Sequence, residues 1–292
     1  MSLSNVIVLA IVQGLAELLP VSSSAHVVVA EKLMGLDPSS PPMTLLLVML
    51  HTGTMFAVIV YFWRQWRGTY FQSTAAFKGF AARVILATVL TAVVGEIIIK
   101  IIEHTVLRGQ PHSEIENLFG HLEFIAPALA AARFLILTAG LLENRRSARG
   151  NVARDASADD VTAARAGLIG AVQGLCLPFR GFSRSGATIS AGMLLGVAKA
   201  RAEAFSFALA VVITPPVVIR EVMRLLRAPH QTPGTLSSVA WLCVLGAALA
   251  FLAGLLALRW LSAWLDKGRW YLFGIYCLIA SAAVAYLHGV GY

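Results

Sequence analysis

The chain of 292 residues is 58% apolar and 13% charged, with a mean hydropathy of +0.77. A soluble domain is about one-quarter charged, so this composition excludes a water-soluble enzyme and points to an integral membrane protein. The net charge of +8 then belongs to loop topology and anionic headgroups rather than nucleic acid, because no basic stripe is interleaved with aromatics.

Residues 1–36 are apolar but interrupted by Gln13, Glu17, Pro20, Ser22 to Ser24, His26 and Glu31. A simple spanning helix needs about 20 mostly apolar residues, and these interruptions break the run near its middle. Broken helices are tolerated at membrane depth where they are buried in protein or line a cavity. The segment is therefore expected to be a re-entrant pair, a helix to about Leu19, a loop, and a helix from about Ala25. The first Lys or Arg is Lys32, so this stretch does not resemble the basic start of a cleaved signal peptide. Full spans are expected at Met43–Trp63, Ala82–Ile102 and Phe124–Leu142. The plan then repeats, with a broken segment at about Ala163–Val197 and spans at Ala204–Val222, Val239–Leu258 and Trp270–His288. Cys176, Cys243 and Cys277 lie far apart in apolar surroundings, with neither disulfide nor metal spacing, and read as small core residues.

The repeat is visible in the letters. Val12-Gln13-Gly14-Leu15 recurs 160 residues later as Val172-Gln173-Gly174-Leu175, and each copy is followed by a proline (Pro20, Pro178) and a serine cluster. The expected organisation is one membrane domain over 1–292, with a first repeat at 1–142, a cytoplasmic linker at 143–162 and a second repeat at 163–292.

Charge gives an orientation. The loop 64–81 and its flank carry Arg64, Arg67, Lys78 and Arg83, and 143–165 carries Arg145, Arg146, Arg149, Arg154 and Arg165. Between them, 103–123 holds Arg108 against Glu103, Glu114, Glu116 and Glu123. Positive-inside logic puts the first two in the cytoplasm, with Arg259, Lys267 and Arg269, and the third outside. Arg220, Arg224 and Arg227 then fall outside, against the trend. In this scheme the broken segments enter from opposite faces, so the halves have inverted topology and their polar tips meet near the midplane, where such folds place small-ligand sites.

The second tip is Gly181-Phe182-Ser183-Arg184-Ser185-Gly186-Ala187-Thr188, with a helix expected to follow over Ile189 to Val197. Arginine offers a planar fork of donors for phosphate oxygens, and a helix N-terminus adds its own amides. The alternative is a Ser/Gly turn with a snorkelling arginine. The first tip supplies Gln13, Glu17, Ser22, Ser23, Ser24 and His26, with Gln13 and Glu17 on one helical face. An ionised carboxylate inside a bilayer ordinarily marks function, although a purely structural Glu17–Arg184 pair is the bland alternative. The serines could satisfy loop backbone, and His26 could be a core histidine. Together these groups suit phosphoryl transfer, which needs a clamp, a nucleophile and an acid or base. A divalent ion would bind through Glu17 and the substrate's own phosphates. No GxxxxGK[ST] loop is present, so nothing supports ATP-driven chemistry.

The stretch Gln13 to His26 (QGLAELLPVSSSAH) resembles the first signature of the bacterial undecaprenyl-diphosphate phosphatases of the BacA/UppP type, and Gly181 to Thr188 resembles their second. The likeness extends over nearly the whole chain, including His51-Thr52-Gly53-Thr54 before a span ending in Tyr61-Phe62-Trp63. It implies an all-α polytopic protein of the bacterial inner membrane. The implied reaction removes the terminal phosphate of undecaprenyl diphosphate at the outer, periplasmic face, with Mg²⁺ or Ca²⁺. It gives the monophosphate carrier lipid of peptidoglycan synthesis. By that resemblance Glu17 would bind metal or act as base and Gln13 would support the metal or water. Ser23 and His26 would be nucleophile and proton-transfer partner in an undecided order. Arg184 would clamp the diphosphate, with Ser22, Ser183, Ser185, Gly186 and Thr188 binding substrate.

Where the family has Pro-Gly before Ser-Arg-Ser, this chain reads Pro178-Phe179-Arg180-Gly181, so Arg180 is either a second clamp or an interfacial snorkel. Ala25 replaces a commoner glycine. His51 could face the site or be a core histidine. Glu96 and Lys100 are spaced as an i, i+4 pair. Arg133 is expected to face protein or water mid-span, where it could pair with Glu96 or help hold a lipid phosphate. A transporter or flippase of prenyl phosphates at the same midplane site is the rival reading, and a homodimer is compatible with the sequence.

Overall fold

The computed structural model describes residues 2–37, 40–105, 122–148, 160–179, 181–227 and 235–290. Among these there are ten helices and no strand. In chain order they are α1 Leu3–Leu18, α2 Ser23–Leu33, α3 Pro41–Thr69, α4 Thr74–Thr105, α5 Leu122–Ala148, α6 Ala163–Cys176, α7 Arg184–Leu194, α8 Lys199–Arg227, α9 Thr235–Asp266 and α10 Tyr271–Gly289. Six of them, α3, α4, α5, α8, α9 and α10, are long and apolar enough to cross a membrane. The chain is a polytopic membrane protein.

Both expected breaks are present. Leu19, extended at φ −78° and ψ 152°, closes α1 immediately before Pro20, whose ring cannot continue a helix. Pro178 follows α6 at the same distance, although Leu177 before it stays in the α region at φ −61° and ψ −44°. The restarts are capped or strained. Ser183 caps α7 by accepting a hydrogen bond from the Gly186 amide at 3.2 Å, whereas Ser22 before α2 makes no side-chain cap and sits at φ 69°.

The spans outrun the minimum that hydropathy marks. α3 continues through Arg64 and Arg67 to Thr69, because long basic side chains reach the interface while their backbone stays helical. The basic connection to α4 thereby shrinks to residues 70–73. Most of 103–123 and of the 143–162 linker lies outside the described residues.

Close packing depends on glycine. α1 lies against α9, where a Cβ on Gly14 would come within 2.5 Å of the Ala253 Cβ and 2.8 Å of the Ala250 carbonyl oxygen. α6 lies against α4, where a Cβ on Gly170 would come within 2.2 Å of the Ala87 carbonyl oxygen, and one on Gly174 within 2.8 Å of that of Thr91. Small residues at such crossings let helix backbones approach in the absence of a hydrophobic driving force between lipid and helix. α3 packs on α8 and α9, and α5 on α7 and α10. The main core gathers Phe62, Trp66, Phe205, Phe207, Leu261 and Trp270 around the inner ends of these helices. α4 turns Ile85, Val89, Val93 and Ile97 outward, the pattern of a lipid-facing helix.

Polar residues on the spans are mostly accounted for locally. Glu96 and Lys100 form the i, i+4 pair, 3.4 Å apart. The Arg133 guanidinium lies over its neighbour Phe134, 4.2 Å from the ring centroid, so a pairing with Glu96 is not what holds it. All three cysteines are buried.

Replacing Gly170 by valine should drive α6 off α4 and lower stability by about 1–3 kcal/mol, the usual range for overpacking. A Cβ on Gly68 would meet nothing within 4 Å, so this position should accept alanine with an unchanged or higher melting temperature. Thermal unfolding in detergent checks both, and equal behaviour of the two variants would contradict the packing described.

Candidate active site

The break after α1 and the break after α6 meet. Arg184, the first residue of α7, places Nη2 2.8 Å from Glu17 Oε1. Glu17 is the penultimate residue of α1, and its other oxygen, Oε2, accepts from Ser23 Oγ at 2.5 Å and from Gln13 Nε2 at 3.1 Å. The Glu17 side chain is 15% exposed and that of Arg184 22%. A second strap joins the tips, since Ser185 Oγ donates to the Leu19 carbonyl at 3.2 Å.

The ion pair is not sealed in hydrocarbon. A cavity of about 260 Å³ is lined by Glu17, Ser22, Ser23 and Ser24 from the first tip and by Ser183, Arg184 and Ser185 from the second. Ala16, Cys176, Leu177, Phe179 and Phe182 complete its wall. Behind the pair, a recess of about 10 Å³, roughly one water in size, touches Glu17, Arg184, His51, Thr54 and Thr214. His51 faces the site from α3. Its Nδ1 donates to the Leu47 carbonyl at 2.9 Å and its Nε2 lies 3.7 Å from Glu17 Oε2.

Not every residue marked in the sequence reaches the cavity. Gln13 is 1% exposed and acts through Glu17 from below the wall. Thr188 points the other way, with its hydroxyl 2.5 Å from Ser206 Oγ and 2.8 Å from the Arg184 carbonyl. It lies one turn into α7, on the face that packs against α8. Gly186 spends its amide on Ser183 and is wedged against Pro20 and Ile136. His26 is absent from the cavity wall; it bonds the Ser22 carbonyl and Tyr276. Arg180 lies outside the described residues. The apolar members of the wall, Leu177, Phe179 and Phe182, were not singled out by the sequence, because nothing in an apolar letter separates lining from core.

Chemically, the short Ser23–Glu17 bond aligns a hydroxyl with a carboxylate that can take its proton, the arrangement that activates a serine oxygen. The adjacent guanidinium and the serine-rich first turn of α7 present donors to an anion in the same cavity. Among the described residues no group of three His, Cys, Asp or Glu side chains is placed to hold a metal ion. Every oxygen of Glu17 already accepts a hydrogen bond. The donor set suits a divalent ion only as one shared with substrate oxygens, with Glu17 supplying the carboxylate and Gln13 its neighbouring amide.

Comparison with known proteins identifies the family. The family model of the bacitracin resistance protein BacA matches residues 6–283. The chain belongs to the BacA family. It is 55% identical over 288 residues to undecaprenyl-diphosphatase 2 of Acinetobacter baylyi, covering 97% of each chain. It is 35% identical over 284 residues to the undecaprenyl-diphosphatase of Desulfatibacillum aliphaticivorans, covering 96% of each. It is also 35% identical over 294 residues to that of Desulfosudis oleivorans, covering 96% of this chain and 97% of the relative.

The Glu17–Arg184 pair should behave as one unit in stability. Glu17→Gln and Arg184→Met each strand one partly buried charge, and the double variant strands none. A double-mutant cycle read by thermal or denaturant unfolding should give a coupling of about 1–3 kcal/mol. Additive losses would mean that the contact is not held in the folded protein.

Proposed function

We propose that this BacA-family protein is an undecaprenyl-diphosphate phosphatase that removes the terminal phosphate of its lipid substrate and leaves undecaprenyl phosphate for cell-wall lipid recycling. The observation that carries this reading is the Ser23–Glu17–Arg184 constellation opening on a polar cavity between two broken helices. Relatives named as diphosphatases along the full chain length support hydrolysis over transport.

In this mechanism the diphosphate lies in the cavity with its charge against Arg184, Ser183 and Ser185. Glu17 takes the Ser23 proton as Oγ attacks the terminal phosphorus. The anhydride P–O bond breaks, undecaprenyl phosphate leaves with the proton that Glu17 passes to it, and a phosphoserine remains beside the regenerated carboxylate. Water then hydrolyses that ester, with Glu17 accepting the water's proton and a proton returning to Ser23 Oγ. Ser23 is preferred to His26 as nucleophile because Ser23 lines the cavity and is bonded to the base. A divalent cation, Mg²⁺ or Ca²⁺, would be held by Glu17 together with the diphosphate, with Gln13 orienting that carboxylate, and would supply charge neutralisation on the phosphoryl oxygens.

The fold fits two inverted repeats, residues 1–142 and 163–292 joined by a cytoplasmic linker at 143–162. Two matching contacts support this: α1 of the first half packs on α9, the fourth helix of the second, and α6 packs on α4, the fourth of the first. Positive-inside charge supports an orientation in the bacterial inner membrane with the first tip entering from the periplasmic side, where the substrate headgroup would be met.

Purified protein should release inorganic phosphate from undecaprenyl diphosphate in the presence of Mg²⁺ or Ca²⁺, and chelation should stop release without loss of helix by circular dichroism. Ser23→Ala, Glu17→Ala and Arg184→Ala should each slow release by about 100-fold or more. Wild-type turnover in all three would remove the assignment. Movement of lipid phosphate across vesicles without phosphate release would favour transport instead.

A further inference from the structure

Both ring nitrogens of His26 are engaged away from the cavity. Nδ1 lies 2.7 Å from the Ser22 carbonyl oxygen, and Nε2 lies 2.7 Å from the Tyr276 hydroxyl of α10. A carbonyl oxygen only accepts, so the proton is on Nδ1. In the neutral ring Nε2 then accepts from Tyr276 O–H. The tyrosine ring also stacks on the imidazole, with centroids 5.6 Å apart and 15° between planes.

What His26 holds is the strained residue of the site. Ser22 has φ 69° and ψ 95°, and among the described residues it is the non-glycine residue with positive φ. That region is sparsely populated for a residue with a Cβ and persists only where the surroundings enforce it. The Ser22 carbonyl receives the His26 ring at 2.7 Å and the His26 backbone amide at 3.4 Å. The next residue is Ser23, whose hydroxyl reaches Glu17. A relay of contacts thus runs from α10 through one imidazole to the turn that aims the nucleophile.

We propose that Tyr276 and His26 are paired positioning residues: Tyr276 holds the His26 ring through Nε2, and the Nδ1–H, fixed by the Ser22 carbonyl, clamps the Ser22 turn so that Ser23 meets Glu17. His26 acts through Nδ1 on the backbone and carries no proton to or from substrate through Nε2. The proposal rests on the phosphatase reading for its kinetic arm, and a spectroscopic arm stands independently of it.

Asparagine places an amide donor near the position of Nδ1, and glutamine places one near that of Nε2. His26→Asn should therefore keep at least about one-tenth of the wild-type kcat, and His26→Gln should lose about 100-fold, as expected when an active-site hydroxyl is misaimed. Tyr276→Phe should lower kcat by about two- to ten-fold with KM unchanged, the fold-change of one net hydrogen bond. In histidine-¹⁵N-labelled protein, the His26 signal, assigned by its loss in His26→Asn, should report Nδ1–H in the wild type and a shifted Nε2 resonance in Tyr276→Phe, where the hydrogen bond to Nε2 is lost. In the His26→Asn background, Tyr276→Phe should cost nothing further. Equal inactivity of folded Asn and Gln variants would overturn the proposal, as would an Nε2–H tautomer or a spectrum that Tyr276→Phe leaves unmoved. If the wild type releases no phosphate from any prenyl diphosphate, the phosphatase reading fails while the tautomer spectra still decide the positioning role.

Discussion

One ion pair sets the terms for the rest of this structure. Glu17 and Arg184 are 167 residues apart in sequence and 2.8 Å apart in space, within a chain whose other surfaces are built for hydrocarbon. Neither charge is sustainable alone at that depth. Each is carried at a helix end beside a break, Glu17 as the penultimate residue of α1 and Arg184 as the first of α7, and a proline follows both α1 and α6. The serines around the pair satisfy what the broken backbone exposes, as the Ser185–Leu19 and Ser183–Gly186 bonds illustrate. The cavity follows from having two helix breaks, rather than two continuous helices, beside the contact.

The two halves use the same letters differently. Gln13 donates to Glu17, whereas Gln173, its counterpart 160 residues later, donates to Thr91 Oγ1 at 3.0 Å. The position matching Glu17 by that offset is Leu177, and the position matching Arg184 is Ser24. The acidic and basic side chains were thus separated, one to each half, and the leucine at the acid's matching position became part of the cavity wall. The chain has two broken segments, and a single pair of unlike charges makes one site from them.

Much of this was legible in the sequence because the signals are physical and local. Prolines after apolar runs mark helix ends, and hydropathy marks the six spans. Charged letters inside apolar segments had to find each other, so Glu17 and Arg184 could be paired before any geometry. What could not be read is direction around a helix start. Ser23 and Ser24 face the cavity while Thr188, in an equally polar stretch, faces Ser206 on α8. His26 was marked by its chemistry, but the rotation of α2 turns its ring toward α10. Tyr276 gave no signal at all, since a tyrosine in a terminal span is ordinarily an interfacial anchor.

The cavity wall also constrains what kind of molecule belongs there. Serine hydroxyls and a guanidinium supply part of it, and Leu177, Phe179 and Phe182 another part. Leu177 and Phe179 are 43% and 42% exposed, so this apolar part continues to the outer surface of the protein, which in a membrane is lipid. A free polar phosphate would gain nothing from that part of the wall, and a plain hydrocarbon nothing from the other. An amphiphile with an anionic head and an apolar tail satisfies both, its tail leaving past Leu177 and Phe179 while the head stays against Arg184. The apolar wall thus favours a lipid diphosphate over a soluble one, a distinction that the catalytic letters alone do not make.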